Sequence, residues 1–277
     1  MGLRINQNVE AMNAYRHLTD TNNTMSKSLE RLSSGLRINR ASDDAAGLSI
    51  SEKLRSQIGG FKVATQNAQD GISMLQTAEG ALNETTSLLQ RIRDLAVQAA
   101  NGTQDTASRT AADSEVQQNL NEIDRIAKAT SYGNLTLLNA AQSFTFQVGG
   151  TTQSYDQIAI SVSAMDASGL SVAAGTANSV GTVAGASAML VKIDAAISAV
   201  SAQRSTFGAV QNRLEHTVAN LGVAVENLSA SESRIRDTDM ASEMVSFTKS
   251  QILSQAGTAM LAQANQAPQN VLSLLRG

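Results

Sequence analysis

The sequence predicts a mainly α fold: an elongated antiparallel bundle of long coiled-coil helices, with a small β-hairpin and paired N- and C-terminal helices. Three observations carry this. Two stretches hold a 4-3 apolar rhythm far longer than an ordinary globular helix needs. Aromatic residues are only 3% of the 277 residues, while Ala, Ser, Asn, Gln and Leu dominate, which suits small-residue helix packing. Period-2 alternation is confined to Phe144, Phe146 and Val148, followed by Ile158, Ile160 and Val162.

Taken in order, Met1 to Leu36 reads as a helix. Ile5, Val9 and Met12 give one apolar stripe, which Leu18, Met25, Leu29, Leu32 and Leu36 continue. Ser33-Ser34-Gly35 marks a break, and Arg37–Asp44 is a polar loop from which Ser42 or Asp43 is expected to cap the next helix. That helix, about Asp43 to Asn101, carries the first long seam: Leu54, Ile58, Phe61, Thr65, Ala68, Ile72 and Leu75, then Ala78, Leu82, Thr85, Leu89, Ile92, Ala96 and Ala99. At 1.5 Å per residue it would be roughly 85–90 Å long. Gly59-Gly60 leaves a second reading open, two ordinary helices broken there, since each Gly costs about 1 kcal/mol in a helix.

Asn101-Gly102 is a stop signal. A helix from about Thr106 to Ala129 follows, with the stripe Val116, Leu120, Ile123 and Ala127, and the short join predicts antiparallel packing on the long helix. Tyr132-Gly133-Asn134 is a turn. The alternating segments predict a hairpin over about 143–163, and about 164–185 reads as a small, polar, irregular loop. The second long seam, within Ala186–Ser231, is Leu190, Ile193, Ile197, Val200, Arg204, Phe207, Gln211, Leu214, Val218, Leu221, Val225 and Leu228. Arg204 and Gln211 either fix register in the core or lie at its edge with their heads in water. Leu82, Leu89, Ile197 and Leu214 are the expected core of this rod. Arg234–Asp239 is a second polar break. The last helix runs to Leu275 with the stripe Leu253, Ala256, Met260, Ala264, Ala267, Val271 and Leu274. From Met244 to Leu275 its one charged residue is Lys249. That is too little charge for a solvated helix and too much Gln, Asn and Ser for lipid, so the expected home of this face is against other copies. A disordered tail is the competing reading.

Composition and motifs point away from chemistry. With 21 basic and 24 acidic residues, bulk nucleic-acid binding is not suggested. Cysteine is absent, which removes disulfides, thiol nucleophiles and thiolate metal sites. His17 and His216 stand alone, outside any metal-binding or nucleophile-activating pattern, and no P-loop is present. No enzyme activity, cofactor or metal is expected. The first residues lack the apolar core of a signal peptide, and no run of about 20 apolar residues suggests a membrane span.

Several runs resemble bacterial flagellins: LERLSSGLRINRASDDAAGLSISEKLRSQI (Leu29–Ile58), NAQDGISMLQTAEGAL (Asn67–Leu82), LQRIRDLAVQAANGT (Leu89–Thr103) and NEIDRIA (Asn121–Ala127). So do SRIRDTDMASEM (Ser233–Met244) and QILSQAGTAMLAQANQAPQNVLSLLRG (Gln251–Gly277). The resemblance covers well over half the chain and departs at about 140–185. It implies a secreted structural subunit, exported unfolded by the flagellar type III apparatus and polymerising into the extracellular helical filament used for motility. Residues 1–40 with 237–277 would form the inner coiled-coil layer and 41–236 the rod domain outside it. Ile5, Val9, Met12, Leu29, Leu32, Leu253, Met260, Val271 and Leu274 would then serve self-assembly. The implied partners are further copies of the chain, an export chaperone, the filament cap and hook-junction proteins, with no nucleic acid and no membrane. Toll-like receptor 5 is a further implied partner, at a patch of Gln90, Arg91, Leu95 and Glu115, although Asn119 stands where well-recognised members have Arg. A hook–filament junction protein, or another coiled-coil binding module, is the alternative.

Overall fold

The computed structural model of the chain describes residues 7–151, 153–175 and 178–276, with 267–276 described as backbone. Its helices are α1 (Val9–Ser34), α2 (Ala45–Ala100), α3 (Thr106–Ala129), α4 (Val183–Arg236) and α5 (Met240–Arg276). Two small antiparallel sheets complete it: β1 (Ser131–Tyr132) with β2 (Leu135–Thr136), and β3 (Gln142–Gln147) with β4 (Gln157–Val162). The fold is mainly α, and α2 is unbroken through Gly59-Gly60.

Helix boundaries follow local capping. The sequence predicts a first helix from Met1, but among the described residues it begins at Val9, because the Asn8 side-chain carbonyl accepts from the Ala11 N–H. It stops at Gly35, whose φ of +72° closes the end with a bond from its N–H to the Arg31 carbonyl. Neither Ser42 nor Asp43 caps α2. Asp44 does, accepting from the Gly47 N–H at 2.8 Å, while Asp43 faces back and accepts from the N–H groups of Asn39 and Arg40. Asp105 caps α3 and Asp239 caps α5 in the same way.

The chain forms two compact units, Met1–Ser56 with Asn227–Gly277, and Gln57–Glu226. The unit boundaries lie inside α2 and α4, whereas the resemblance implies a division at 40/41 and 236/237. Hydrogen bonding gives the reason. Leu36 pairs with Asp237 in an antiparallel bridge, the Arg37 N–H donates to the Arg236 carbonyl, and the Thr238 N–H donates to the Gly35 carbonyl. The Arg236 guanidinium donates to Glu52 at 2.8 Å, and Ile38 is buried within the nominally polar loop. The two breaks are knit to each other and belong with the terminal helices.

In the first unit α1 and α5 run antiparallel, tied by Asn8 to the Ala264 carbonyl, Ser254 to Asn22, and Arg31 to Glu243. Their Cα atoms come within 8 Å along the pair. Small residues allow that approach: the covered stripe of α1 is Ala11, Ala14, Leu18, Thr21, Met25, Ser28 and Leu32. On α5 it is Phe247, Ser250, Ser254, Gly257, Leu261 and Ala264. A Cβ on Gly257 would sit 3.2 Å from Leu18 Cδ1.

In the second unit α2 packs antiparallel to both α3 and α4, as the pairs Arg91–Glu115 and Arg93–Asp194 record. Leu82, Leu89 and Leu214 are fully buried, and Ile197 is half-buried against the same core. The covered face of α4 is broader than the predicted seam. Met189, Ala196, Gln203 and Val210 are buried beside Ile193, Val200, Phe207 and Leu214, because α4 is covered from two sides. Gln203 bonds the backbone of Ser161 and Ser163, extending the edge of β4. Arg204 and Gln211 lie at the seam edge, 3.7 Å and 3.4 Å from the Glu79 carboxylate of α2. Although no unbroken apolar run of membrane length stands out in the sequence, a window of α4 reaches a mean hydropathy of 1.6. Its Ile193, Val200 and Phe207 are core residues of the folded unit.

The hairpin is seated on α2 by the absence of side chains. A Cβ on Gly71 would lie 3.0 Å from the Phe146 ring, and one on Gly60 3.5 Å from Gly150 Cα. Asn67 Nδ2 donates to the Gln147 carbonyl at 3.0 Å. Phe144 pairs with Ile160 and Phe146 with Ile158, which puts the alternating apolar residues on the covered face.

Candidate assembly surfaces

α1 and α5 cover Leu18, Met25, Leu32, Phe247 and Leu261 together with small and polar residues, and further large apolar residues remain outside. Val9, Met12, Tyr15 and Leu29 of α1 are exposed, Met12 at 63%. On α5 Met240, Met244, Val245, Ile252, Leu253 and Met260 are exposed, Met260 at 61%. Large apolar side chains left facing water on a helical pair depart from the usual order, in which they fill a contact. The stripe predicted for the N-terminal helix divides between two faces. Leu18, Met25 and Leu32 of that stripe lie in the seam with α5, while Val9, Met12 and Leu29 point outward. Ile5 and the side chains of Val271 and Leu274 lie outside the described residues.

Val245, Ile252, Leu253, Ala256 and Met260 recur at helical spacing, so they form one outward face on α5. Lys249 is the one charge beside them. Sequence periodicity finds Leu253 and Met260 but misses Tyr15, Val245 and Ile252, which fall off the predicted stripes. Their signal is the lack of charge around them.

On the second unit, the α2–α3 patch is partly assembled. Gln90 and Arg91 are exposed on α2, and the Arg91 guanidinium grips Glu115 of α3 with Nη2 and Nε at 2.7 and 2.8 Å from Oε1. Leu95, expected to be exposed beside Arg91, is 4% exposed and belongs to the core. The cause is that α2 is flanked by two helices. A second covered row, Met74, Ala81, Leu88 and Leu95, accompanies the first at seven-residue spacing. Asn119 is half-buried, with an Nδ2 that has no acceptor among the described residues. Three carboxylates at exposed positions are held below their usual range: Asp43 by the Arg40 N–H, Asp105 by Ser108, and Glu122 by the Arg125 guanidinium. All three are structural contacts. Among the described residues no three His, Asp or Glu side chains gather as metal ligands.

The arrangement is a scaffold with unpartnered apolar faces, and comparison with known proteins gives it a family. A model of the bacterial flagellin N-terminal helical region matches residues 5–143, and one of the C-terminal helical region matches residues 190–275. The flagellin of Halalkalibacterium halodurans is 50% identical, covering 98% of this chain and 99% of its own. That of Bacillus subtilis strain 168 is 47% identical over 99% of this chain and 100% of its own. A putative flagellar hook-associated protein from Vibrio parahaemolyticus shares the fold, with a TM-score of 0.57 over 70% of this chain and 100% of its own, at 14% identity. Near-half identity over nearly the full length favours flagellin over a junction protein: the chain belongs to the bacterial flagellin family.

Proposed function

We infer that the chain is a structural subunit that polymerises into the helical flagellar filament. The observation that carries this is the terminal pair, in which α1 and α5 cover each other along one narrow seam and leave Val9, Met12, Leu253 and Met260 outside. Burying a side chain of that size is worth about 1.5–3 kcal/mol, so the outward face gains substantially when another copy covers it. The test places charge there. A Leu253→Glu, Met260→Glu chain keeps its helicity as a monomer but forms no filaments when mixed with wild-type seeds; filaments of normal length from that variant would overturn the reading.

Family membership supports the finer parts of the proposal. The subunit leaves the cell through the flagellar export route and works outside it, with an export chaperone, the filament cap and hook-junction proteins as partners. Its role is structural and calls for no catalysis. Toll-like receptor 5 would meet the surface of Gln90, Arg91 and Glu115, with Leu95 supporting it from beneath. In a receptor reporter assay the wild-type monomer signals, the Arg91→Ala monomer signals less, and intact filaments are silent. A silent wild-type monomer, or an Arg91→Ala monomer that signals as well as wild type, would refute this assignment.

A further inference from the structure

Methionine is divided unevenly between the two units. In the second unit Met74, Met165 and Met189 are buried in the core. In the terminal unit Met12, Met240, Met244 and Met260 are 63%, 47%, 50% and 61% exposed, while Met25 is half-buried in the seam between α1 and α5. Met244 lines one groove with Val245, Ile252 and Leu253, and Met12 lines another with Ala11 and Tyr15. The full chain has no cysteine and no tryptophan. Thioethers are therefore its most readily oxidised side chains, and among the described residues the accessible ones belong to α1 and α5.

Resting on the reading above that those outward faces meet other copies, we propose that Met12, Met240, Met244 and Met260 are a modification site, where a peroxide withdraws the monomer from assembly and a methionine sulfoxide reductase returns it. The sulfur lone pair takes one oxygen of hydrogen peroxide: an S–O bond forms, the O–O bond breaks, and the other oxygen leaves as water. The sulfur is oxidised by two electrons and the peroxide is reduced by two. On return, two thiols of the reductase system remove the oxygen as water and close to a disulfide. Each sulfoxide sets a polar acceptor where an apolar side chain stood. In the monomer that oxygen is hydrated and costs the fold little. Under a second copy it needs a donor, and an unpaired polar group in an apolar contact is unfavourable. Donors are scarce there. The Thr248 hydroxyl already donates to the Met244 carbonyl, and Lys249 is the one charged residue from Met244 to Leu275. The second unit is spared, because its thioethers are shielded.

Wild-type monomer, wild-type seeds and hydrogen peroxide supply the test, with oxygen addition at each methionine read by peptide mass spectrometry. Mild peroxide should oxidise Met12, Met240, Met244 and Met260 and leave Met74, Met165 and Met189 reduced, with the melting transition of the second unit unmoved. Elongation of seeds by that monomer should fall roughly tenfold or more, since several apolar contacts are replaced at once. Methionine sulfoxide reductases A and B with a dithiol should restore it. A Met12→Leu, Met240→Leu, Met244→Leu, Met260→Leu chain is read against its own untreated rate, which peroxide should leave unchanged. Should that chain not assemble, reductase rescue of the wild type decides the matter alone. Three results would overturn the proposal and leave the assembly reading standing: oxidised monomer that elongates seeds like untreated monomer, lost assembly that the reductases do not reverse, or oxidation that reaches Met74, Met165 and Met189 equally. Untreated wild-type monomer that does not elongate seeds would sink the assembly reading, and the modification site with it.

Discussion

Single residues here act through the helix ends and edges they control. Asp44 and Asp43 are neighbours with opposite duties, one capping α2 and the other folding the loop back through Asn39 and Arg40. Composition marks the site, but only the turn geometry decides which carboxylate faces the helix. Asp105 is the simplest case to test. The Ser108 hydroxyl and N–H both donate to it, which holds its pKa below the usual carboxylate value. A carboxylate with a lowered folded pKa stabilises above its unfolded pKa, and that contribution fades as pH falls through the lowered value. Asp105→Ala should therefore melt below wild type at pH 7. The gap should narrow well below pH 4, near and under the ordinary Asp pKa. A gap of the same size at pH 7 and at pH 2.5 would mean that the charge contributes nothing.

At the scale of elements, sequence periodicity is a good guide wherever one helix meets one partner, and a poorer one elsewhere. The C-terminal half of the α2 seam, Ala78 to Ala99, is buried as its 4-3 rhythm implies. Further toward the N-terminus, Ala64, Ala68 and Gly71 take over the buried line, because a flat hairpin rather than a helix lies there. On α4 the rhythm is right and the width is wrong, since two neighbours cover more of the helix than one seam. The terminal helices divide their apolar stripes between two faces: Leu18, Met25 and Leu32 of α1 meet α5, while Val9, Met12 and Leu29 face outward. The candidate surface itself is legible because α5 lacks charge, whereas the burial of Leu95 is not, since it depends on a third helix. The placement of the loop after β4 is not legible, because Asp113, Gln117 and Asp124 hold it by backbone N–H groups, which leave no pattern in the loop's own side chains. Glycines on α2 separate these effects experimentally. A Cβ added at Gly80 would meet nothing within 4 Å, so Gly80→Ala should raise stability by about 0.5–1 kcal/mol through helix propensity alone. Gly71 faces the Phe146 ring, so Gly71→Leu should unseat β3 and lower the melting temperature despite the same propensity gain. Equal stabilisation by both would show that the hairpin does not rest on that notch.

For the whole molecule, the two units have different sources of stability. The core of the second unit draws on α2, α3, the hairpin, Met165, Leu170, Val172 and Val180 of the loop that follows it, and α4, and includes no residue beyond Leu214 among its fully buried members. The terminal unit depends on α1 and α5 covering each other through a narrow seam of small residues with Leu18, Met25, Leu32, Phe247 and Leu261, and other large apolar groups are left over. Removing Ala256–Gly277 deletes Gly257, Leu261 and Ala264 from that seam and Met260 from the outward face. The N-terminal half of α1 then loses its partner, including the acceptor for Asn8. Isolated helices of this kind are marginal in water, so α1 should fray. The truncated chain should therefore keep the melting transition of the second unit, lose helical circular dichroism from α5 and part of α1, and fail to polymerise on wild-type seeds. A free-standing coiled-coil binding module would predict something else, since its outer faces need no second copy and the loss of its last turns would leave self-association unchanged. Electron microscopy of seeded mixtures distinguishes the two: normal filaments from the truncated chain would sink the assembly role of the terminal pair, and short, blocked seeds with a folded second unit would support it.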